Sequence, residues 1–204
     1  MNCTVLFIVV SAIVTVLDKW EKIPKFYARK LAHMLCGLII LLFDISINGN
    51  RRLMHSQDVK STCQNSYCVL FIYLIAATSI LRCFFYPFRF GVNKDKGIII
   101  YNIIVSLFFF FKLPLYVLTP IFFADPMAAI VGKRFPTYSI YKKKTLHGTL
   151  ACFFVSLVSL YYVENYTHIL ILALSLSILE LFGGTLDNLF MCFPIFIYMM
   201  FFKV

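Results

Sequence analysis

Apolar residues in this chain come in long blocks, not in the strict alternation of barrel strands. Eight blocks stand out, at 4–17, 31–47, 67–81, 97–111, 113–131, 148–163, 168–182 and 186–202. Short polar stretches separate them. Several fall below the ~20 residues that span a hydrocarbon layer, so their ends extend into polar flanks. In lipid every backbone N–H and C=O must be satisfied within its own segment, which makes these blocks helices. The pattern predicts an all-α integral membrane protein, a polytopic bundle of seven or eight transmembrane helices. No internal repeat and no long linker interrupts the blocks, so residues 1–204 read as one domain.

Composition agrees: 61% of residues are hydrophobic, more than a soluble chain of 204 residues buries. The net charge of +10 would suggest nucleic acid in a soluble protein. Here its placement excludes that partner. If the eight helices alternate in direction, the loops 18–30, 82–96, 132–147 and 183–185 share one side. They hold fourteen of the nineteen Lys and Arg residues. Positive charge accumulates on the cytosolic side, so this side faces the cytosol and both termini face away. The lipid bilayer is the expected environment, with the endoplasmic reticulum as host and the motifs below on its cytosolic face. The first block has the length of a signal-peptide core but lacks a preceding basic residue and a small-residue cleavage site, and reads as a retained span. Seven scattered cysteines make neither a zinc site nor a disulfide framework. Only Cys63 and Cys68 are placed to pair. Asn165-Tyr166-Thr167 is a glycosylation sequon too close to the membrane to be used.

Polar residues inside the blocks carry the candidate chemistry. Asp125 lies in LPLYVLTPIFFADPMAAIV, residues 113–131, directly before Gly132-Lys133-Arg134. A carboxylate at such depth costs roughly 2.5–3.5 kcal/mol on insertion scales, so it requires a partner or a task. Pro126 suggests a helix break there with Asp125 as N-cap, lining a cavity or simply capping the helix. Residues 142–149, KKKTLHGT, join a lysine run to a Thr/Gly turn. Such a turn opening a helix presents backbone N–H groups to phosphate, although the order of a Walker A loop is missing. Asp187-Asn188 follows the glycine pair Gly183-Gly184; Asp187 suits Mg²⁺, which takes one or two carboxylates plus phosphate oxygens. Glu180 is either a helix-end charge or part of the same site. Arg29, His33 and Gly37 recur at spacings of four, near one face of the second helix.

Taken in order, RKLAHMLCG (29–37), KGIIIY (96–101), ADPMAAIVGKRF (124–135), KKKTLHGT (142–149) and DNLFMCFP (187–194) resemble the ordered motifs of the dolichol kinase and phytol kinase family. The resemblance runs over residues 29–194. It departs from the family pattern at Ala124 and Pro136, where glycine is usual, and at His147, often Glu in the dolichol branch. A wider similarity to membrane CTP:phosphatidate cytidylyltransferases lies in the Asp-x-x-Ala-x-x-x-Gly-Lys element beginning at Asp125.

The resemblance implies a compact polyprenol kinase that moves the γ-phosphate of CTP to a membrane-embedded isoprenoid alcohol with Mg²⁺ as cofactor. On that reading Asp125 and Asp187 hold the metal, and Asp125 or His33 is the base. Lys133, Arg134, Lys144, Thr145, Gly148, Thr149 and Asn188 bind the nucleotide. Arg29 binds a substrate or product phosphate. Two other functions use the same residues: a CTP-dependent cytidylyltransferase acting on a lipid phosphate, and a small transporter with Asp125 and Asp187 as coupling-ion sites.

Overall fold

The computed structural model describes residues 3–52, 66–136 and 138–202. Among them are eight α-helices, one for each apolar block: α1 (Cys3–Lys19), α2 (Lys25–Arg52), α3 (Ser66–Phe85), α4 (Lys96–Phe110), α5 (Thr119–Arg134), α6 (Leu146–Ser159), α7 (Tyr166–Gly183) and α8 (Asp187–Phe202). The all-α class expected from the sequence is observed. Short 3-10 turns precede α5 (Leu115–Leu118) and α8 (Gly184–Leu186). A two-stranded hairpin, β1 (Ser139–Tyr141) and β2 (Lys144–Thr145), was not foreshadowed by the apolar pattern. Three stretches, Lys25–Ser46, Leu115–Arg134 and Tyr166–Phe202, are long and apolar enough to cross a membrane. Their outward faces carry large apolar side chains, such as Leu42, Leu174 and Phe201. A lipid solvent allows that exposure where water would not. The Cys63–Cys68 pairing lies outside the described residues, whereas Cys36, Cys83, Cys152 and Cys192 are free thiols.

The chain divides into two compact units, Met1–Tyr116 and Val117–Val204. In the first, α1 packs on α2 and α3, and α3 on α4. Its polar end is tied by arginines. The Arg89 guanidinium donates to the carbonyls of Leu17, Asp18, Trp20 and Ile23, which satisfies acceptors left open where α1 stops. Asp18 accepts from the Arg89 backbone amide at 2.6 Å and from Arg82 at 2.8 Å, and Arg82 lies over the Phe88 ring. These loop residues close over an apolar cluster of Leu17, Ala28, Ala32, Cys83, Phe88 and Phe90. Asp95 is the N-cap of α4, accepting from the amides of Gly97 and Ile98.

In the second unit α5 packs on α6, α6 on α7, and α7 on α8, and α8 returns to touch α5. The helix break expected at Asp125-Pro126 is absent. Helix α5 begins at Thr119 with Pro120 in its first turn and runs straight through Pro126 to Arg134. Pro126 has no N–H to give the Phe122 carbonyl, a defect worth about 3 kcal/mol in an isolated helix. Tertiary packing overrides it, because Ile121, Phe122, Ala124 and Ala128 around it are all buried. Asp125 is therefore an interior helical residue rather than a cap.

Helices α5 and α6 approach most closely at glycines. A Cβ on Gly148 would lie 2.8 Å from the Ala128 carbonyl oxygen and 3.3 Å from Gly132 Cα. On Gly132 it would meet the Thr145 hydroxyl at 2.8 Å. Small residues at such contacts let helix backbones close together. Backbone yields less readily than the tip of a side chain. Gly148→Ala should therefore destabilise the protein by roughly 1–3 kcal/mol, the cost of overpacking, and Gly132→Ala by less. Thermal unfolding in detergent, with the two variants compared side by side, checks the order.

Candidate functional site

Three carboxylates meet inside the second unit. Asp125 comes from the middle of α5, Glu180 from the last turn of α7 and Asp187 from the first residue of α8. One oxygen from each lies within 4.8 Å of the others. Asp125 and Glu180 are each 1% exposed. The local sequence makes this convergence possible. After α7, Gly184 adopts φ 61°, a left-handed turn that favours glycine. A Cβ on Gly183 would lie 3.1 Å from the Asp187 Cβ. The glycine pair thus reverses the chain tightly enough to bring residues seven apart, 180 and 187, to one place.

Lys144 reaches this acidic group from β2. Its Nζ donates to Glu180 Oε1 and lies 3.6 Å from Asp187 Oδ2. The hairpin that carries it is docked by the Tyr141 ring edge-on to Phe182 and by the Leu146 amide donating to the Tyr138 carbonyl. Lys142 takes φ 51° at the hairpin tip, and its side chain and that of Lys143 are exposed. Burial pulls the Lys144 ammonium down, but Glu180 first, then Asp187 and Asp125, more than reverse this and hold it above its ordinary value of 10.5. The sign follows from linkage. A raised pKa means the ammonium contributes its full stabilisation below 10.5 and loses it only as pH climbs through the folded value.

Among the described residues Lys144 is paired with Glu180 and Asp187, and the three carboxylates stand in one group. Carboxylates so close repel one another and favour a cation among them. Asp125, Glu180 and Asp187 are the described residues whose carboxylates could hold a divalent cation, a hard ion that takes oxygen ligands. Asn188, 4% exposed and next to Asp187 in the chain, has an amide oxygen with no hydrogen-bond partner among the described residues.

The other sequence-predicted residues are used differently. Thr145 is the N-cap of α6: its hydroxyl accepts from the Gly148 amide at 3.3 Å, and the Thr149 hydroxyl donates to the Thr145 carbonyl. Within the turn the Gly148 amide is engaged by the Thr145 cap, and Gly148 also serves helix packing. Lys133 and Arg134 are exposed in the last turn of α5, where positive charge complements the helix dipole. Arg29 and His33 belong to the first unit. Arg29 is bonded to the buried Asp95 at 2.9 Å, and a Cβ on Gly97 would strike its guanidinium at 2.5 Å. The His33 ring packs on Tyr101 with centroids 4.3 Å apart. Asn165 of the sequon is the N-cap of α7, accepting from the Thr167 amide.

By sequence Glu180 fits either a helix-end charge or a site residue, and the signal for the second is its place in an otherwise apolar helix, LSLSILELFGG, seven residues before Asp187. Comparisons with family models, curated proteins and solved structures give no match for this chain.

Lys144→Met leaves the acids without this cation and should destabilise the fold, toward the low end of roughly 3–5 kcal/mol because Lys144 is a quarter exposed. Glu180→Gln leaves Lys144 with Asp187 and relieves repulsion among the acids, so it should cost less. The double variant should lose clearly less than the sum of the two. Chemical or thermal unfolding of the four proteins measures the coupling; additive losses would show that the pair does not interact.

Proposed function

We propose that this protein is a polytopic membrane kinase that transfers the γ-phosphate of CTP to an isoprenoid alcohol, working on the cytosolic face of the endoplasmic reticulum. The observation that carries this reading is the union of three carboxylates with Lys144 in one largely buried group. A triphosphate brings several negative charges and its own divalent ion, and such a group is built to receive both. The resemblance of five ordered motifs to the dolichol and phytol kinases supports the choice of donor and acceptor. The bias of fourteen basic residues to one side supports the orientation.

Phosphoryl transfer asks a protein mainly for positioning and for neutralisation of charge. Asp125, Glu180 and Asp187 would hold Mg²⁺, which would supply charge neutralisation at the phosphate oxygens. Lys144 neutralises a non-bridging oxygen, and Asn188 orients the polyphosphate. The alcohol oxygen attacks the γ-phosphorus as the bond to the β–γ bridging oxygen breaks and CDP departs. The alcohol proton passes to a carboxylate oxygen of Asp125, which stands in the acidic group. His33 is held against Tyr101 and keeps a packing role. Lys133 and Arg134 contribute longer-range attraction for the nucleotide.

Purified protein supplied with α- or γ-labelled CTP and with farnesol, geranylgeraniol, phytol or dolichol tests this directly. Label should move from the γ position into a lipid-soluble monophosphate. Transfer of α label with release of pyrophosphate would identify a cytidylyltransferase, and ion flux without nucleotide dependence a transporter. Asp125→Asn and Asp187→Asn should each abolish turnover while the protein still inserts, because a lost metal ligand matters far more than a surface charge. Lys144→Ala should lower kcat/KM for CTP about ten- to hundred-fold, the worth of a charge-assisted phosphate bond. The Lys142→Ala/Lys143→Ala double variant, altering two exposed residues, should be mild and its effect should fade with salt.

A further inference from the structure

Lys144 differs from the groups it meets in how it is held. Asp125, Glu180 and Asp187 extend from three helices packed together, and their carboxylates have short stems. Lys144 extends from a strand of two residues at the rim, on a flexible four-carbon stem, with a quarter of its side chain exposed. Its hairpin is anchored independently through Tyr141 on Phe182 and through the Leu146 amide. The ammonium can therefore leave the acids without undocking the strand. An ammonium and a divalent ion repel at these distances, so an ion among the three carboxylates weakens the hold of Glu180 and Asp187 on Lys144.

We propose that Lys144 is a built-in counter-cation of the three-carboxylate group, displaced when a divalent ion binds and thereby freed to meet a phosphate. Without metal, Lys144 partly neutralises the acids and keeps them together. With metal among the acids, Lys144 loses Glu180 and Asp187 as partners and turns outward, where the next anion to arrive is a polyphosphate. Metal loading and phosphate capture are coupled through one side chain, and metal-free nucleotide meets a lysine still held by Glu180. This inference rests on the reading of the acidic group as a divalent-cation site. Its test uses neither nucleotide nor alcohol, so its failure is separable from failure of the kinase reading.

The test begins with the unaltered full chain in detergent, titrated with Mn²⁺ alone. An amine-acylating reagent is applied across the titration, and modification at each lysine is read by peptide mass spectrometry. Lys144 should react slowly without metal and about tenfold faster once Mn²⁺ saturates, while Lys142 and Lys143 stay constant as internal controls. Lys144 reactivity that ignores saturating Mn²⁺, or the absence of Mn²⁺ binding, overturns the proposal. Variants give a second measurement. Lys144→Met should bind Mn²⁺ about tenfold more tightly than the unaltered protein, because the competing charge is gone. Lys144→Arg, which keeps that charge, should bind as weakly as the unaltered chain. Adding Asp187→Asn to Lys144→Met should remove the gain, which identifies the site. Equal Mn²⁺ affinity in Lys144→Met and the unaltered protein overturns the proposal.

Discussion

Three acids held close together inside an apolar helical unit create a repulsion that the surrounding structure must answer. Asp125, Glu180 and Asp187 lie within 4.8 Å of one another, two of them almost wholly buried, and Lys144 is the cation that the chain sends to meet them. Much of the second unit follows from that need. The hairpin carries Lys144 to the acids. The glycine pair after α7 brings Glu180 and Asp187 together, and Gly148 and Gly132 let α6 close on α5 just beyond the residue that supplies Asp125. Buried ion pairs seldom stabilise a protein more than a well-packed apolar replacement would.

The first unit uses charge to the opposite end. Asp18, Arg82 and Arg89 are spent on one another and on the carbonyls where α1 ends, and Asp95 is shared between Arg29 and the start of α4. These are closed networks that tie loops over an apolar cluster. In the first unit Asp18 and Asp95 are each matched by an arginine and by backbone amides, whereas in the second three acids gather with Lys144.

Helix propensity yields to packing where the two conflict. Pro126 and Pro194 both lie inside helices that continue past them. A helix wrapped by neighbours tolerates a missing backbone bond because those neighbours bury its apolar side chains on either side of the defect. Pro126 thus says less about where α5 ends than its local chemistry implies.

The sequence by itself determined the eight helices, their all-α class and the place of Asp125 and Asp187 among apolar residues, because uninterrupted apolar blocks and carboxylates within them are properties of composition along the chain. It also separated Lys144 from Lys142 and Lys143, since the residue adjoining the Thr/Gly turn is held at the helix start while the others are carried outward. Tertiary structure decided what local pattern leaves open. Whether Glu180 is a helix-end charge or the third acid depends on a glycine turn and on α8 returning to α5, contacts between residues far apart in the chain. Whether Gly148 offers its amide to a ligand depends on the Thr145 rotamer and on the closeness of Ala128, neither of which spacing encodes. Apolar periodicity is written residue by residue, but the meeting of three carboxylates around one ammonium exists only when separate helices are packed.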